Sequence, residues 1–200
     1  MNRSAVRYDG MMREWLAQYK YRGHERYAPL LVKMLSQALI RMQLEINSLK
    51  GGLQHSKQSA VWKPDLITFV PVSKARLIER GFNQAQIFAE GLGKLHHIPI
   101  ASLLVRSMHT EKQSFKTRAE RIESMKGAFE LIPEEHFVRE IARLKGFDQP
   151  GALRTLQILI VDDIYTTGST LNTCAYVLRQ AAKLKMGLEA NIYCLTWARS

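Results

Sequence analysis

Residues 158–170 read Ile-Leu-Ile-Val-Asp-Asp-Ile-Tyr-Thr-Thr-Gly-Ser-Thr, and this stretch decides the fold class. Four apolar residues, mostly β-branched, are followed by two carboxylates and then by a turn rich in hydroxyl groups. A helical pattern from Leu171 to Lys185 comes next. This order predicts a buried parallel strand that opens into a loop and a helix N-terminus. Ligands of open α/β sheets bind at such edges.

The turn after the strand has the groups that bind a phosphate. Gly168 lets the backbone approach closely, and the helix that follows presents the positive end of its dipole. The hydroxyl donors are Thr166, Thr167, Ser169 and Thr170. The alternative is a turn that merely caps a helix. A cap needs one such side chain, whereas residues 162–170 contain six Asp, Ser or Thr residues in nine positions, so we favour ligand binding.

Asp162 and Asp163 would repel a phosphate, so they need a different partner. The vicinal hydroxyls of a ribose would accept this role, and so would a hydrated Mg²⁺ ion.

Composition limits the class of protein. The chain has 200 residues, of which 46% are hydrophobic, and it is long enough to bury a core as one domain. No apolar run reaches the length of a membrane span and no signal peptide is evident, so we expect a cytoplasmic protein without membrane insertion. Two isolated cysteines, Cys174 and Cys194, indicate neither a disulfide framework nor a zinc site. The net charge of +11 favours polyanionic partners.

The pattern along the chain predicts a single domain over residues 1–200. Residues 1–63 form a helical N-terminal part, helical over 8–48 with a break at Gly23 to Pro29, and a mobile polar loop over 47–63. Residues 64–200 form an α/β core in which strands alternate with helices. The predicted strands are 66–72, 98–105, 127–131, 158–161 and 190–197, and the predicted helices are 83–95, 134–144 and 171–185.

A second group of polar residues follows the strand at 66–72. Ser73, Lys74, Arg76 and Arg80 stand just beyond that strand. Next to the first site they would anchor a pyrophosphate, Lys74 as a point charge and Arg76 or Arg80 as a bidentate fork. The alternative is a solvated turn with ordinary surface charge.

Residues 158–170 resemble the phosphoribosyl-pyrophosphate (PRPP) loop of type I phosphoribosyltransferases. The resemblance implies the type I phosphoribosyltransferase fold, a mostly parallel central sheet flanked by helices, here with an N-terminal helical segment. It also implies that Asp162 and Asp163 hold the ribose hydroxyls and that Thr166–Thr170 bind the 5′-phosphate. Mg²⁺ would be bound through PRPP near the two acids rather than by the protein alone.

The rest of the chain resembles one group within that fold. Residues 79–85, Glu-Arg-Gly-Phe-Asn-Gln-Ala, resemble the most distinctive run of the ComF family, whose members are associated with natural competence and DNA uptake. Further similar segments, in the expected order, are 8–23, 106–129 and 195–199. Two features differ from the family. The usual N-terminal four-cysteine zinc ribbon is not in this sequence, through its loss or a shortened chain, and residues 133–155 are longer than usual, for which a packed surface helix is the expectation.

Two functions remain open at this point. One is a PRPP-binding protein of competence and DNA transformation, with single-stranded DNA and DNA-uptake proteins as partners. The other is an active Mg²⁺-dependent phosphoribosyltransferase of nucleotide metabolism with no DNA role. Lys112, Lys116 and Arg118 would close over the site as a lid, or form a solvated basic loop. Thr166 stands where oxopurine-specific relatives place an Asp, so no general base is evident.

Overall fold

The computed structural model describes residues 1–21, 27–51, 62–107, 127–147 and 155–200. In chain order the elements are β1 (Asn2–Arg7), α1 (Gly10–Tyr21), α2 (Ala28–Gly51), β2 (Leu66–Phe69), α3 (Lys74–Arg80), α4 (Gln84–His96), β3 (Leu104–Arg106), β4 (Phe129–Leu131), α5 (Glu134–Ala142), β5 (Leu156–Tyr165), α6 (Ser169–Met186) and β6 (Ala190–Arg199).

A four-stranded sheet forms the centre, in the order β1-β6-β5-β2. All three of its pairings are parallel. Strands β3 and β4 form a separate antiparallel pair. The predicted α/β class, with a mostly parallel sheet flanked by helices, is therefore confirmed. Because the strands are parallel, their carboxyl ends meet at one edge, called here the carboxyl edge.

Apolar side chains alternate along β5 and supply a core on each face of the sheet. Leu159 and Val161 pack with α1, α2 and α4 on one face. Ile158 and Ile160 pack with α5, α6 and the β3–β4 pair on the other. A strand buried on both faces must be apolar at every position, which explains the unbroken apolar run.

Helix spacing matches these two cores. In α4 the buried residues Ala85, Phe88, Ala89 and Leu92 follow one another at intervals of three and four positions. Tyr19 of α1 stacks on Phe88, with ring centroids 5.7 Å apart. The N-terminal helices thus share a core with the sheet. Within the described ranges, no helix has both the length and the hydrophobicity to span a bilayer.

The structure differs from the predicted elements at several points. Strand β1 occupies residues for which no element was predicted. The strand predicted at 66–72 ends at Phe69, and that at 98–105 is a strand only at Leu104–Arg106, with an isolated bridge from Ile100 to Ile67. The predicted basic turn at 73–80 contains a short helix, α3.

A further correction concerns β5, which continues through the two acids to Tyr165 rather than ending before them. Asp162 pairs in register with Thr196, and Tyr165 with Arg199, so β6 keeps β5 extended to that point.

The segments around the core agree in part with the predictions made from the sequence. Helix α5 lies in the long connection at 133–155, with Phe137 and Ile141 buried, as expected of a packed surface helix. Helix α2 continues to Gly51, so the loop predicted from residue 47 begins later. Most of that loop, Gly23 and the lid candidates Lys112, Lys116 and Arg118 lie outside the described residues.

Candidate functional site at the carboxyl edge

The two predicted site segments leave neighbouring strands at the carboxyl edge. Phe69 of β2 is in register with Val161 of β5, and the amide of Val70 donates to the carbonyl of Val161 at 3.0 Å. The residues that follow, Asp162 on β5 and the segment from Ser73 on, therefore start from adjacent points. The structure thus brings together the two groups that the sequence predicted as parts of one site.

The acids sit at the end of β5 and are both half-buried. The amide of Asp163 donates to Asp162 Oδ1 at 2.8 Å, which fixes the orientation of that carboxylate. Strand pairing with β6 holds the backbone beneath them. Carboxylates on a paired strand are placed more rigidly than carboxylates in a loop, as hydroxyl recognition requires.

The turn after β5 depends on Gly168. Its φ of +77° lies in the left-handed region, and a Cβ there would stand 2.6 Å from Tyr165 Oη. Any side chain would therefore be both strained and blocked. Tyr165 is itself covered by the Arg199 guanidinium, whose Cζ lies 4.9 Å from the ring centroid. The C-terminal end of β6 thus supports the turn through Tyr165.

The hydroxyl groups of the turn face an open helix N-terminus. Gly168 is the N-cap of α6 and provides no side-chain cap. Thr166 and Thr167 are exposed, and Ser169 and Thr170 are half-buried. The hydroxyls of Thr167 and Ser169 bond to each other at 2.8 Å, and the Ser169 amide makes a long 3.4 Å bond to Thr167 Oγ1. An anion would satisfy such a helix end better than these contacts do.

The segment after β2 is mainly self-satisfied. Ser73 caps α3 by accepting from the Arg76 amide at 3.3 Å, and Gly81 closes the helix in the left-handed region with φ +78°. Lys74 and Arg76 are exposed, and Arg80 is half-buried with Nη1 donating to Gln84 Oε1 at 3.2 Å. Lys74 and Arg76 thus remain directed outward, whereas Arg80 is turned toward α4.

The distinctive run 79–85 has a structural role. Asn83 is buried and caps α4 by accepting from the Ala85 amide at 3.0 Å, while its Nδ2 donates to the Val70 carbonyl at 3.0 Å. Phe82 meets the edge of Tyr19, with ring centroids 5.3 Å apart. One amide side chain therefore ties the start of α4 to the end of β2, and so sets where α3 and its cations stand.

Sequence reasoning missed Arg106 as a site residue. It ends β3 and its guanidinium interacts electrostatically with both Arg76 and Asp162. Burial first, and then the charge of Arg76, lower the pKa of Arg106, while Asp162 opposes them. The available signal was a lone arginine that closes the apolar run 98–105. No partner could be assigned to it from sequence, because the residues it meets come from other elements.

Cys174 and Cys194 are both free thiols. Burial raises the pKa of Cys194 to about 11 and raises that of Cys174 still further, so both thiols are protonated at neutral pH. Among the residues that the structure describes, no three His, Cys, Asp or Glu side chains cluster as a metal site would require.

Curated relatives agree with the resemblance seen in the sequence. The chain is 32% identical to competence protein ComFC of Bacillus subtilis over 202 residues, covering all of this chain and 64% of that protein. It is 29% identical over 178 residues to DNA utilization protein YhgH of Escherichia coli K12, covering 84% of this chain and 68% of that protein. Over its whole length the chain is therefore similar to a competence protein of the ComF type. It spans just under two thirds of the ComFC length.

The chain was also compared with solved structures and with models of protein families. Adenine phosphoribosyltransferase from Leishmania tarentolae has a similar structure at a TM-score of 0.37 and 13% identity, over 84% of this chain and 70% of that one. No family model matches the sequence. The ComF relationship and the strand, acids, turn and helix on the carboxyl edge agree with the predicted type I phosphoribosyltransferase fold.

Proposed function

We propose that this chain is a ComF-type protein that binds PRPP at the carboxyl edge and acts in natural competence, in the handling of DNA that enters the cell. One observation supports PRPP binding most strongly. Two half-buried carboxylates lie near the end of β5, and the glycine turn after that strand leads into a helix of 18 residues that has no side-chain cap. Carboxylates that can accept from the ribose hydroxyls are thus followed by a turn that can bind the 5′-phosphate, and a phosphorylated ribose carries both groups.

Each residue has an expected part in binding. Asp162 and Asp163 accept from the ribose 2′- and 3′-hydroxyls, and Thr166–Thr170 hold the 5′-phosphate. Ser73, Lys74, Arg76 and Arg80 face the pyrophosphate, and Arg80 also donates from Nη1 to Gln84 Oε1. Oxygen donors of this kind suit Mg²⁺, which would be held chiefly by ligand oxygens and would neutralise the charge of the pyrophosphate.

The role in DNA uptake rests on the relatives. Competence protein ComFC and DNA utilization protein YhgH carry DNA-related names, and this chain matches most or all of its length to each. The net charge of +11 supports contact with a polyanion. We include single-stranded DNA, other DNA-uptake proteins and a cytoplasmic location in the proposal.

Calorimetry provides the first test. The full chain should bind PRPP in the presence of Mg²⁺, and removing Mg²⁺ with a chelator should weaken binding strongly. Absence of binding to the properly folded chain would overturn the assignment of the site.

Turnover is tested by adding each nucleobase and measuring pyrophosphate release. Because Thr166 cannot act as a general base, and such assistance contributes roughly 10²- to 10⁴-fold, we expect little nucleotide from hypoxanthine or guanine. Rapid synthesis would favour the salvage enzyme instead.

Salt dependence provides the test for DNA. A fluorescent single-stranded oligonucleotide should bind with an affinity that falls steeply as salt rises, because neutralised phosphates release counterions. Charge reversal of Arg76, Lys112, Lys116 and Arg118 to Glu should weaken this binding. The matched control reverses four cations elsewhere, Lys33, Arg41, Lys94 and Arg139, which are exposed on α2, α4 and α5. Equal loss in the two variants would mean that net charge alone drives binding, and would contradict a DNA site formed by these four cations.

A further inference from the structure

Strand β1 leaves one of its two edges open, the edge that faces away from β6 and is called here the outer edge. The strand stands at the end of the sheet order, and β6 is its neighbour there. A shallow groove of about 590 Å³ is lined by all six residues of β1 together with Arg199 and Ser200. Among the residues that the structure describes, no further strand pairs with β1. The backbone of a whole strand is therefore accessible to an added segment.

Hydrogen bonds at the start of β1 show which backbone groups point outward. The Met1 carbonyl accepts from the Cys194 amide at 3.0 Å, so it faces β6. Because successive residues of a strand direct their backbone groups to opposite sides, those of Asn2 and Ser4 point away from β6. The Asn2 carbonyl accordingly accepts from Arg3 Nη1 at 2.8 Å. The amide and the carbonyl of Ser4 thus face the groove, where another strand could pair with them.

The charges along the outer edge indicate the kind of segment that fits. Arg3, Arg7 and Arg199 are exposed, and none of the described residues that line the groove is acidic. Glu45 of α2 forms an ion pair with Arg3. Arg7 and Arg199 are partners in the register of β1 and β6, so two like charges are neighbours on adjacent strands. An acidic segment would relieve their repulsion, whereas a second copy of β1 would bring further arginines.

Positive charge on an outer strand also prevents unwanted pairing with other chains. Edges that are protected in this way are often very short or carry a proline. Strand β1 has six residues, a usual strand length, and contains no proline. Its arginines repel basic strands and attract acidic ones, so protection and selective binding are compatible.

We propose that the outer edge of β1 binds an extended, acidic segment of a partner protein, which adds to the central sheet as a further strand. Main-chain hydrogen bonds to groups such as the amide and carbonyl of Ser4 supply the affinity, and acidic side chains near Arg7 and Arg199 supply the selectivity. Because β1 and β2 are the two outer strands of the sheet, this groove lies on the other side from the segment that follows β2. The proposal does not depend on PRPP binding.

The first test uses peptides and the full wild-type chain. The probe is a fluorescein-labelled peptide of alternating Glu and Val with the length of β1, titrated at low salt and followed by fluorescence anisotropy. We expect binding of this peptide, and much weaker binding of the same peptide with Lys in place of Glu, because like charges repel. N-methylation of the peptide amides keeps the charges but removes the donors, and should weaken binding about tenfold.

The second test changes the strand itself. Ser4→Pro removes the outward amide without removing a hydrogen bond to β6, and proline is tolerated on an edge strand in this orientation. It should weaken binding of the Glu/Val peptide about tenfold and leave PRPP affinity unchanged. Ser4→Ala is the matched control, because it loses the hydroxyl bond to Thr196 and keeps the amide. Arg7→Glu should also weaken peptide binding, whereas Arg139→Glu, an exposed residue on α5, should not.

Several outcomes would overturn the proposal. These are failure of the wild-type chain to bind the Glu/Val peptide, equal affinity for the Lys/Val or the N-methylated peptide, and unchanged affinity in Ser4→Pro. Displacement of the peptide by a single-stranded oligonucleotide, with an equal loss of oligonucleotide binding in Ser4→Pro, would assign the edge to DNA instead. If thermal melting shows that Ser4→Pro is unfolded, the comparison of the parent and N-methylated peptides on the wild-type chain decides.

Discussion

The segments that follow β5 and β2 leave the same edge of the sheet, yet they satisfy their backbones in opposite ways. After β5, Gly168 begins α6 without a side-chain cap, and the hydroxyls of Thr167 and Ser169 bond to each other. After β2, Ser73 caps α3 and Asn83 caps α4, and Asn83 also binds the strand end. The first segment keeps donors available, whereas the second uses its polar groups to hold its own shape.

This difference suggests a division of labour. A rigid, self-capped segment is suited to presenting cations at fixed positions, and an uncapped helix start is suited to receiving an anion. Changes after β5 should therefore act mainly on ligand affinity. Changes after β2 should act first on stability and on ligand affinity only through the charges.

The largest effect is expected at the acids. The double variant Asp162→Asn/Asp163→Asn should bind PRPP about 100-fold more weakly, because each charge-assisted hydrogen bond contributes about 1.5–3 kcal/mol and Asn accepts more weakly. Calorimetry with Mg²⁺ measures the affinity, and thermal melting checks the fold. Glu135→Gln, on the exposed first turn of α5, serves as the control. An unchanged PRPP affinity would remove the assignment of the ribose hydroxyls to these carboxylates.

The next effect concerns Gly168. Gly168→Ala should lower the stability by about 1–2 kcal/mol through its positive φ, and should also weaken PRPP binding because the new Cβ displaces Tyr165. Gly187→Ala is the matched control, since its φ is +67° but no atom lies within 4 Å of the added Cβ. It should lose stability and keep PRPP affinity. Tyr165→Ala removes the ring atoms that stand 2.6–2.9 Å from the new Cβ, so Gly168→Ala should cost less PRPP affinity in that background. An equal cost in both backgrounds would mean that strain alone is responsible.

Ser73 distinguishes capping from ligand contact. Ser73→Ala should cost about 0.5–2 kcal/mol of unfolding free energy, because the Arg76 amide loses its acceptor. Ser73→Asp retains an acceptor at the cap and should restore stability, but its charge would repel a pyrophosphate. Denaturant unfolding and PRPP titration of both variants separate the roles. If Ser73→Asp binds PRPP normally, Ser73 is a helix cap and not part of the site.

The smallest effect lies far from the edge, at His96. Burial first, and then Lys63 and His97, lower the pKa of His96 below its usual 6.5, and its Nε2 bonds to Ser36 Oγ at 2.8 Å. The folded protein therefore binds this proton less readily than the unfolded chain does. The stability from His96 is present above pH 6.5 and is lost as the pH falls toward the lowered pKa. Between pH 7.5 and 5.5 the free energy of unfolding should depend less on pH in His96→Asn than in the wild-type chain. An equal dependence on pH in the two proteins would contradict the lowered pKa.

Local signals explain what could be predicted from the sequence. The strand, acids, turn and helix at 158–185 were found because apolar run, glycine and helical spacing all lie within one stretch. Strand β1 was missed because its sequence, Asn-Arg-Ser-Ala-Val-Arg, has no apolar alternation and its partner lies at the other end of the chain. Helix α3 was missed because it buries none of its seven residues, so no periodic stripe marks it. The strand predicted at 98–105 was too long, because the apolar residues before Leu104 are buried without forming a regular strand.

The same difference between neighbouring and distant residues decides which parts of the candidate site could be predicted. The acids and the hydroxyl turn are contiguous, so they could be recognised together; their role in PRPP binding stays a prediction. Arg106 could not be assigned, because its relation to Arg76 and Asp162 arises only when β3, α3 and β5 meet. Ser73 and Asn83 were ambiguous in sequence, since the same side chains serve as caps and as ligand contacts.

The pairing of β1 with β6 also has a consequence for the way the chain acquires its structure. Ser4 and Thr196, bonded through their hydroxyls at 2.6 Å, are 192 residues apart in the chain. During synthesis β1 therefore emerges long before its partner, and such a distant pairing forms slowly. An unpaired strand of this kind invites association with other nascent chains. Arg3 and Arg7, both exposed, place positive charge along it and oppose that association until β6 arrives.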